Sequence, residues 1–284
     1  MKRDTTLDIV KGVACLLMIL AHPKTLHLTF DTELTTFFWY VGFFAPVVFF
    51  ASVGVSLQYQ LNKRTKLQIV IHGTLFSLIP WVGFIFLGDY LQKEKKMRLP
   101  VFILASAAAL YLKLTGAALT SQSPTPIFIT LGIAIYSFVV LISPYLSKIP
   151  NVSGFLVFLG KNTLLFWRVH FFLLKTVFAK LGRMYAPYTW VLLLFASAVV
   201  ILTLNKLNKF TFARISDKWA FWVACLSVYI FTAFMPASIA LYFGNFILFI
   251  FALNYHNFLP AIKRIGDWYT GRKIYPQPYC GKSF

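Results

Sequence analysis

The chain alternates between long apolar runs and short clusters of charge. Nine runs approach the roughly 20 residues that an α-helix needs to cross a hydrocarbon layer. They are Leu7–Ala21, Phe37–Leu57, Leu67–Leu87, Leu99–Leu119, Pro126–Leu146, Thr163–Phe178, Tyr188–Leu204, Trp219–Met235 and Ala237–Leu253. None shows the two-residue alternation of a barrel strand, and in lipid only helices or closed barrels satisfy the backbone. The pattern predicts an all-α, polytopic transmembrane helical bundle of about eight to ten spanning helices. No repeat, low-complexity tract or long linker divides it, so residues 1–284 read as one transmembrane domain with a short basic tail over about 255–284. Pro46, Pro80 and Pro144 interrupt the second, third and fifth runs. The opening Met1-Lys2-Arg3 resembles the start of a signal peptide, but Asp4, Asp8 and Lys11 break the smooth apolar stretch that such a peptide needs.

Composition moves this reading from a sticky soluble protein to a lipid-solvated one. Hydrophobic residues fill 59% of the chain and charged ones only 12%, against about a quarter charged in soluble domains. Mean hydropathy is +0.73. The net charge of +19, from 27 basic and 8 acidic side chains, would suit nucleic acid if it formed a patch. Here the cations sit between apolar runs, which fits anionic lipid head groups and the positive-inside rule. Membrane lipids are therefore expected partners and nucleic acid is not. Cys15, Cys225 and Cys280 are too scattered for a disulfide framework or a zinc site, and the first two read as buried free thiols.

Orientation follows from the same cations. Lys2 and Arg3, then Lys63, Arg64 and Lys66, then Lys206, Lys209, Arg214 and Lys218 in the loop Asn205–Lys218, and finally Lys263, Arg264, Arg272 and Lys273 all favour the cytoplasmic side. Both termini are thus expected in the cytoplasm, which demands an even number of crossings, whereas nine runs are counted. The discrepancy lies between Leu67 and Arg98, where Lys93, Lys95, Lys96 and Arg98 also favour the inside. A re-entrant segment, or a further crossing near Asn151–Leu159, removes it.

Ionisable residues inside apolar runs are candidate chemistry. In the first run Asp8, Lys11, Cys15, Met18 and His22 recur at three- and four-residue spacing and share one helix face. Lys11 and His22 lie about 16 Å apart along the axis. Pro23 disfavours helical geometry at His22 and is expected to end the helix there. The plainer reading has Lys11 snorkelling to the membrane surface beside Asp8, with His22 marking the opposite interface. In the sixth run Lys161, Arg168 and Lys175 recur every seven residues and form one stripe; Arg168 lies mid-segment and is expected to face an anionic ligand or a wet cavity. His170 falls on another face, where an interior hydrogen-bonded histidine competes with a catalytic one. His72 and His256 have no companion pattern. Asp31 and Glu33, in the loop after His27, either orient an imidazole or are simply solvated.

Three stretches together resemble the acyltransferase-3 family of transmembrane acyltransferases, which is related to the heparan-glucosaminide N-acetyltransferase type. Leu7-Asp8-x-x-Lys11-Gly12-x-Ala14 followed by an apolar run to His22 is similar to the family's opening signature. Phe43-Phe44-Ala45-Pro46-Val47-Val48-Phe49-Phe50-Ala51-Ser52-Val53-Gly54-Val55-Ser56 resembles its Phe-rich second helix. Phe158-Leu159-Gly160-Lys161-Asn162-Thr163-Leu164-Leu165-Phe166-Trp167-Arg168-Val169-His170 is similar to a late segment in which a Leu-Gly-x-Asn-Thr type turn opens a helix ending in His. The family usually has Arg where Lys11 stands, so the planar, bidentate grip on phosphate is absent here while the cation is kept. The glucosaminide-type relatives place the catalytic His in the following loop, where His27 lies.

The resemblance implies transfer of an acyl group, by expectation acetyl, from acetyl-CoA or another acyl-CoA to a hydroxyl or amine of a glycan or similar cell-surface acceptor. It implies His22 or His27 as catalytic base, Lys11, Lys161 and Arg168 against the donor's phosphates, and Asp8, Asn162 and His170 in support, with no metal. It also implies a bacterial-type cytoplasmic membrane. A covalent acyl-His intermediate stays open. A competing reading is a multi-pass transporter or lipid/glycan flippase with Lys11, Arg168 and the histidines along a polar path. A scaffold subunit is a third reading, and it leaves the alignment of Lys11 with His22 unexplained.

Overall fold

The computed structural model describes residues 5–60, 79–117 and 125–269. Among them every regular element is helical, apart from one isolated bridge between Thr29 and Met184. The helices are α1 (Thr5–Thr25), α2 (Glu33–Gly42), α3 (Ala45–Gln60), α4 (Ile79–Lys93), α5 (Arg98–Leu114), α6 (Pro126–Leu146), α7 (Pro150–Lys161), α8 (Thr163–Leu173), α9 (Ala186–Phe210), α10 (Trp219–Phe231) and α11 (Ala237–Tyr269). Helix α8 continues through a π-helical turn, Leu174–Phe178, and a final turn, Ala179–Leu181. Among the described residues six helical stretches are long and apolar enough to cross a membrane: Thr5–Thr25, Glu33–Ser52, Lys95–Leu114, Pro126–Leu146, Ala186–Phe210 and Ile239–Phe258. The chain divides into two compact units, residues 1–198 and 199–284, with the boundary inside α9.

Helix α1 is the axis of the first unit. Its 21 residues extend about 31 Å at 1.5 Å per residue, close to the thickness of a hydrocarbon core. Ile9, Ala14 and Cys15 are fully buried, because α7, α2, α3, α6 and α8 all pack around it. The tightest approach is to α7. A Cβ on Gly12 would strike the Leu156 carbonyl, and a Cβ on Gly160 would strike the Asp8 carbonyl. In lipid no hydrophobic force drives helices together, so close backbone approach through small residues supplies the packing. These two pairs run in opposite directions along the chain, which makes α7 antiparallel to α1. Gly42 brings α2 against Leu17 and Ala21 of α1 in the same way.

The second unit is tied by polar groups. Asn208 and Asn254 exchange two amide hydrogen bonds of 3.0 and 2.9 Å. Asn257 Nδ2 donates to Ser216 Oγ, and Trp222 Nε1 donates to the Ser216 carbonyl. Trp222 also packs edge-on against Phe251 and Phe258, fastening the short helix α10 to α11.

Several boundaries depart from the sequence pattern. The run Phe37–Leu57 is two helices, because the chain turns at Phe43 and Phe44 and restarts at Ala45 with Pro46, whose missing N–H suits a first turn. Pro144, by contrast, lies inside α6, whose limits match the predicted run. Leu99–Leu119 ends as α5 at Leu114, where Gly116 takes a positive φ of 81° and caps the helix. The region Asn151–Leu159 is helical, but the 12 residues of α7 reach only about 18 Å and are too short to cross. Helix α9 runs on to Phe210 and takes up part of the expected loop Asn205–Lys218. Helix α11 extends to Tyr269, so the stretch expected as a basic tail from about 255 is helical that far. Residues 67–78 of the third run, His72 among them, lie outside the described residues, as do Cys280 and the last part of the tail.

The α1–α7 contact generates a stability prediction. Gly160→Leu should lower the thermal midpoint in detergent by several degrees, because overpacking costs about 1–3 kcal/mol or more. Gly154, also in α7, faces open space, so Gly154→Ala should leave the midpoint unchanged or raise it. Equal losses at both positions would contradict the packing described.

Candidate functional site

Two imidazoles 148 positions apart meet inside the first unit. His22 Nδ1 and His170 Nε2 are 2.7 Å apart, with ring centroids at 5.0 Å and planes inclined by 11°. That centroid spacing equals the N···N distance plus the two ring radii, so the rings meet edge to edge in one plane. Two nitrogens this close leave no room for a metal ion between them, since each N–metal bond takes about 2.0 Å. His170 Nδ1–H donates to the Phe166 carbonyl at 2.8 Å. His170 is 0% exposed and His22 half-buried. Phe171 lies against both rings, 4.4 Å from His22 and 5.0 Å from His170.

The helices dictate this meeting. Helix α7 descends along α1 to Gly160, then the chain turns at Asn162. Asn162 Nδ2 donates to the Phe158 carbonyl, Phe166 N donates to the Asn162 carbonyl, and Thr163 Oγ1 donates to the Gly160 carbonyl. Helix α8 then runs parallel to α1. Cys15 Sγ donates to the Leu159 carbonyl at 3.8 Å and Thr163 lies beside the same thiol, at the same offset of 148 positions that relates His22 to His170. Seven residues of rise in each of two parallel helices therefore carry one contact to the next.

The C-terminal end of α1 is closed by its own turn. Pro23 does not end the helix, contrary to the expectation from sequence. Helical hydrogen bonding continues one turn, with Leu26 N donating to the His22 carbonyl at 3.0 Å, because a proline removes one donor without blocking the carbonyls beyond it. The stop comes at His27, whose φ is +56°. His27 N donates to the Lys24 carbonyl and Leu28 N to the Pro23 carbonyl, the bonding of a Schellman cap with His27 at the left-handed position. Next, Met184 N donates to Leu28 O and Phe30 N to Met184 O, tying this turn to the segment that follows α8. Lys24, singled out by no sequence pattern, pairs with Asp31 at 3.2 Å, donates to Thr36 Oγ1 at 2.6 Å and lies over Trp39.

The other sequence candidates fall as follows. His27 is exposed, and its backbone has the definite role of ending α1. Asp8 is buried and Lys11 half-buried. Lys161 is exposed beside Gly160, hence at the Asp8 end of α1. The stripe of Lys161, Arg168 and Lys175 is not formed: Lys161 belongs to α7, the turn at Asn162 separates it from Arg168, and the π turn at Leu174–Phe178 shifts Lys175. Arg168 lies roughly 200° around α8 from His170 and stacks on Trp167, 4.1 Å from its ring centroid; the structure does not bring it to the imidazole pair. Asp31 serves Lys24. His256 is exposed on α11. The partnership of His170 with His22 was missed by sequence reading, and no spacing signal could have found it.

No family model, curated protein or solved structure matches this chain.

The cap at His27 predicts a stability order. His27→Gly should hold or raise stability, since a left-handed L-residue costs about 1–2 kcal/mol that glycine avoids. His27→Val should lower it by a similar amount or more. Chemical denaturation of the three proteins in detergent checks the order, and a Gly variant less stable than Val would contradict the cap.

Proposed function

We propose that the protein is a membrane-embedded acyltransferase that moves an acyl group, acetyl in the simplest case, from acyl-CoA to a hydroxyl or amine of a glycan or similar acceptor. The observation that carries the reading is the meeting of half-buried His22 with buried His170 at the C-terminal end of central helix α1, with Lys11 of α1 and Lys161 of α7 toward its other end. The resemblance of the same three stretches to the acyltransferase-3 family supports it. In this reading His22 takes the proton from the acceptor as the acceptor's oxygen or nitrogen bonds to the thioester carbonyl carbon. The carbon–sulfur bond then breaks, and His22 returns the proton to the leaving thiolate. Lys11 and Lys161 meet the anionic nucleotide end of the donor, whose flexible arm carries the thioester toward His22. Asp8 and Asn162 support these groups by position, Asp8 packed on Gly160 and Asn162 at the corner that aims α8. Arg168 serves as a peripheral cation. The bundle crosses the membrane about eight to ten times with both termini in the cytoplasm.

A transporter or flippase is the second reading. It is favoured by the break between α2 and α3 inside one apolar stretch, a feature that lines substrate paths in some carriers.

Purified protein in detergent, given labelled acetyl-CoA and candidate acceptors, should consume thioester. His22→Ala should reduce turnover roughly 100-fold or more with donor binding kept, while His27→Ala should retain most of the rate. A severe loss at His27 with a mild one at His22 would move the base into the loop; no protein-dependent thioester consumption at all would favour the transporter. Lys11→Met should weaken donor binding and Lys11→Arg preserve it, because the cation and its phosphate contacts are retained.

Reporter fusions at the N-terminus and at Lys263 should both read cytoplasmic. Opposite readings would mean an odd number of crossings.

A further inference from the structure

We infer that His170 is a positioning residue that locks His22 in the tautomer carrying its proton on Nδ1, so that His22 Nε2 holds the lone pair that meets substrate. The chain of hydrogen bonds has only one consistent direction for two neutral rings. The Phe166 carbonyl can accept but not donate, so His170 Nδ1 must carry the hydrogen at 2.8 Å. A neutral imidazole has one N–H, which leaves His170 Nε2 as a lone pair. The nitrogen facing it at 2.7 Å, His22 Nδ1, must therefore be the donor. His22 Nε2 is then unprotonated. A free imidazole in water prefers the opposite tautomer, with its proton on Nε2, so the lock reverses an intrinsic preference.

The surroundings fix this arrangement. His170 is 0% exposed, and no water is needed to complete its two hydrogen bonds. Its height along α8 follows from the turn at Asn162, where Thr163 Oγ1 donates to the carbonyl of Gly160, itself seated on Asp8 of α1. Phe171 restrains both rings, and the edge-to-edge geometry keeps the two nitrogens in line. The final acceptor is a backbone carbonyl that cannot be lost by protonation or by side-chain rotation. The device orients the base as a carboxylate does in a Ser-His-Asp triad, but with a neutral group in the carboxylate's place.

What the lone pair does rests on the acyl-transfer reading above. There, Nε2 accepts the acceptor's proton, the ring becomes imidazolium, and its Nδ1–H donates more strongly to His170 Nε2. The proton later leaves from Nε2 to the thiolate sulfur, and the starting tautomer is restored. The tautomer itself follows from the hydrogen bonds alone.

The test separates the two. The chain has five histidines, so protein labelled with ¹⁵N-histidine in detergent can be examined by nitrogen NMR near neutral or mildly basic pH. The His22 signals are assigned by their disappearance in His22→Ala. Expected in the parent is His22 with hydrogen on Nδ1 and an unprotonated Nε2. His170→Leu should move the hydrogen to Nε2. His170→Gln, which keeps an acceptor oxygen near the original Nε2, should retain it on Nδ1 and guard against a general loss of fold in the Leu variant. A parent His22 protonated on Nε2, or a hydrogen that stays on Nδ1 in His170→Leu, would overturn the lock whatever the activity. The expected tautomers in a protein that never consumes acetyl-CoA would uphold the lock and overturn the acyl-transfer reading.

Discussion

The rest of the first unit depends on one contact, the backbone-to-backbone approach of α1 and α7 at Gly12 and Gly160. No side chain stands between these helices at either point, so their spacing and register admit little play. Helix α7 is only 12 residues long and gains little helical stability from its own length; its position comes from this contact. Because Gly160 is seated on Asp8, the turn at Asn162 begins at a fixed height beside α1. From there α8 climbs beside α1 from Thr163, next to Cys15, to His170, next to His22. The meeting of His22 with His170 is the last step of that alignment.

A buried imidazole pair is costly unless its polar atoms are paired. Here one hydrogen of His170 goes to the carbonyl a turn earlier, its lone pair goes to His22, and aromatic rings of Phe166 and Phe171 fill the flanks. Among the described residues both nitrogens of His170 are satisfied without a carboxylate in contact with its ring. The same economy closes the end of α1, where the Schellman turn at His27 uses the last carbonyls and the bridge to Met184 fixes the loop. Lys24 is held by a carboxylate, a hydroxyl and an indole at once, so the turn beyond His22 is tied down on more than one side.

The second unit solves a similar problem with amides. Helix α10 has 13 residues, about 20 Å, and almost no buried face of its own beyond Trp222. Apolar contact alone gives helices in lipid little reason to associate, whereas a reciprocal Asn pair and a shared Ser offer directed bonds. Asn254 also donates to its own Ile250 carbonyl, so its amide is used on both sides.

The helical class, the lipid solvent and the limits of α6 were legible because each rests on local hydropathy and helix-start chemistry; α6 begins at Pro126 and ends at Leu146 as the pattern alone predicts. His22 and the turn at Asn162-Thr163 were also visible, the first as an ionisable group in an apolar run and the second through the resemblance of its segment to one in which such a turn opens a helix. Boundaries failed where a turn inside an apolar run leaves hydropathy unchanged, as at Phe43 and Phe44, and where a helix continues past its apolar stretch, as in α9 and α11. Short α7 was raised only as an alternative crossing near Asn151–Leu159, because 12 residues with scattered polar positions barely stand out from a loop. His170 was left between an interior hydrogen-bonded histidine and a catalytic one, and Lys161 was joined to a stripe it does not belong to, because periodicity carries across a turn on paper but not in space. The sequence determined which residues carry ionisable chemistry into the bundle. Only the tertiary structure decided which of them meet, because contact between positions 148 apart is set by glycine-governed helix register, and no local pattern encodes it.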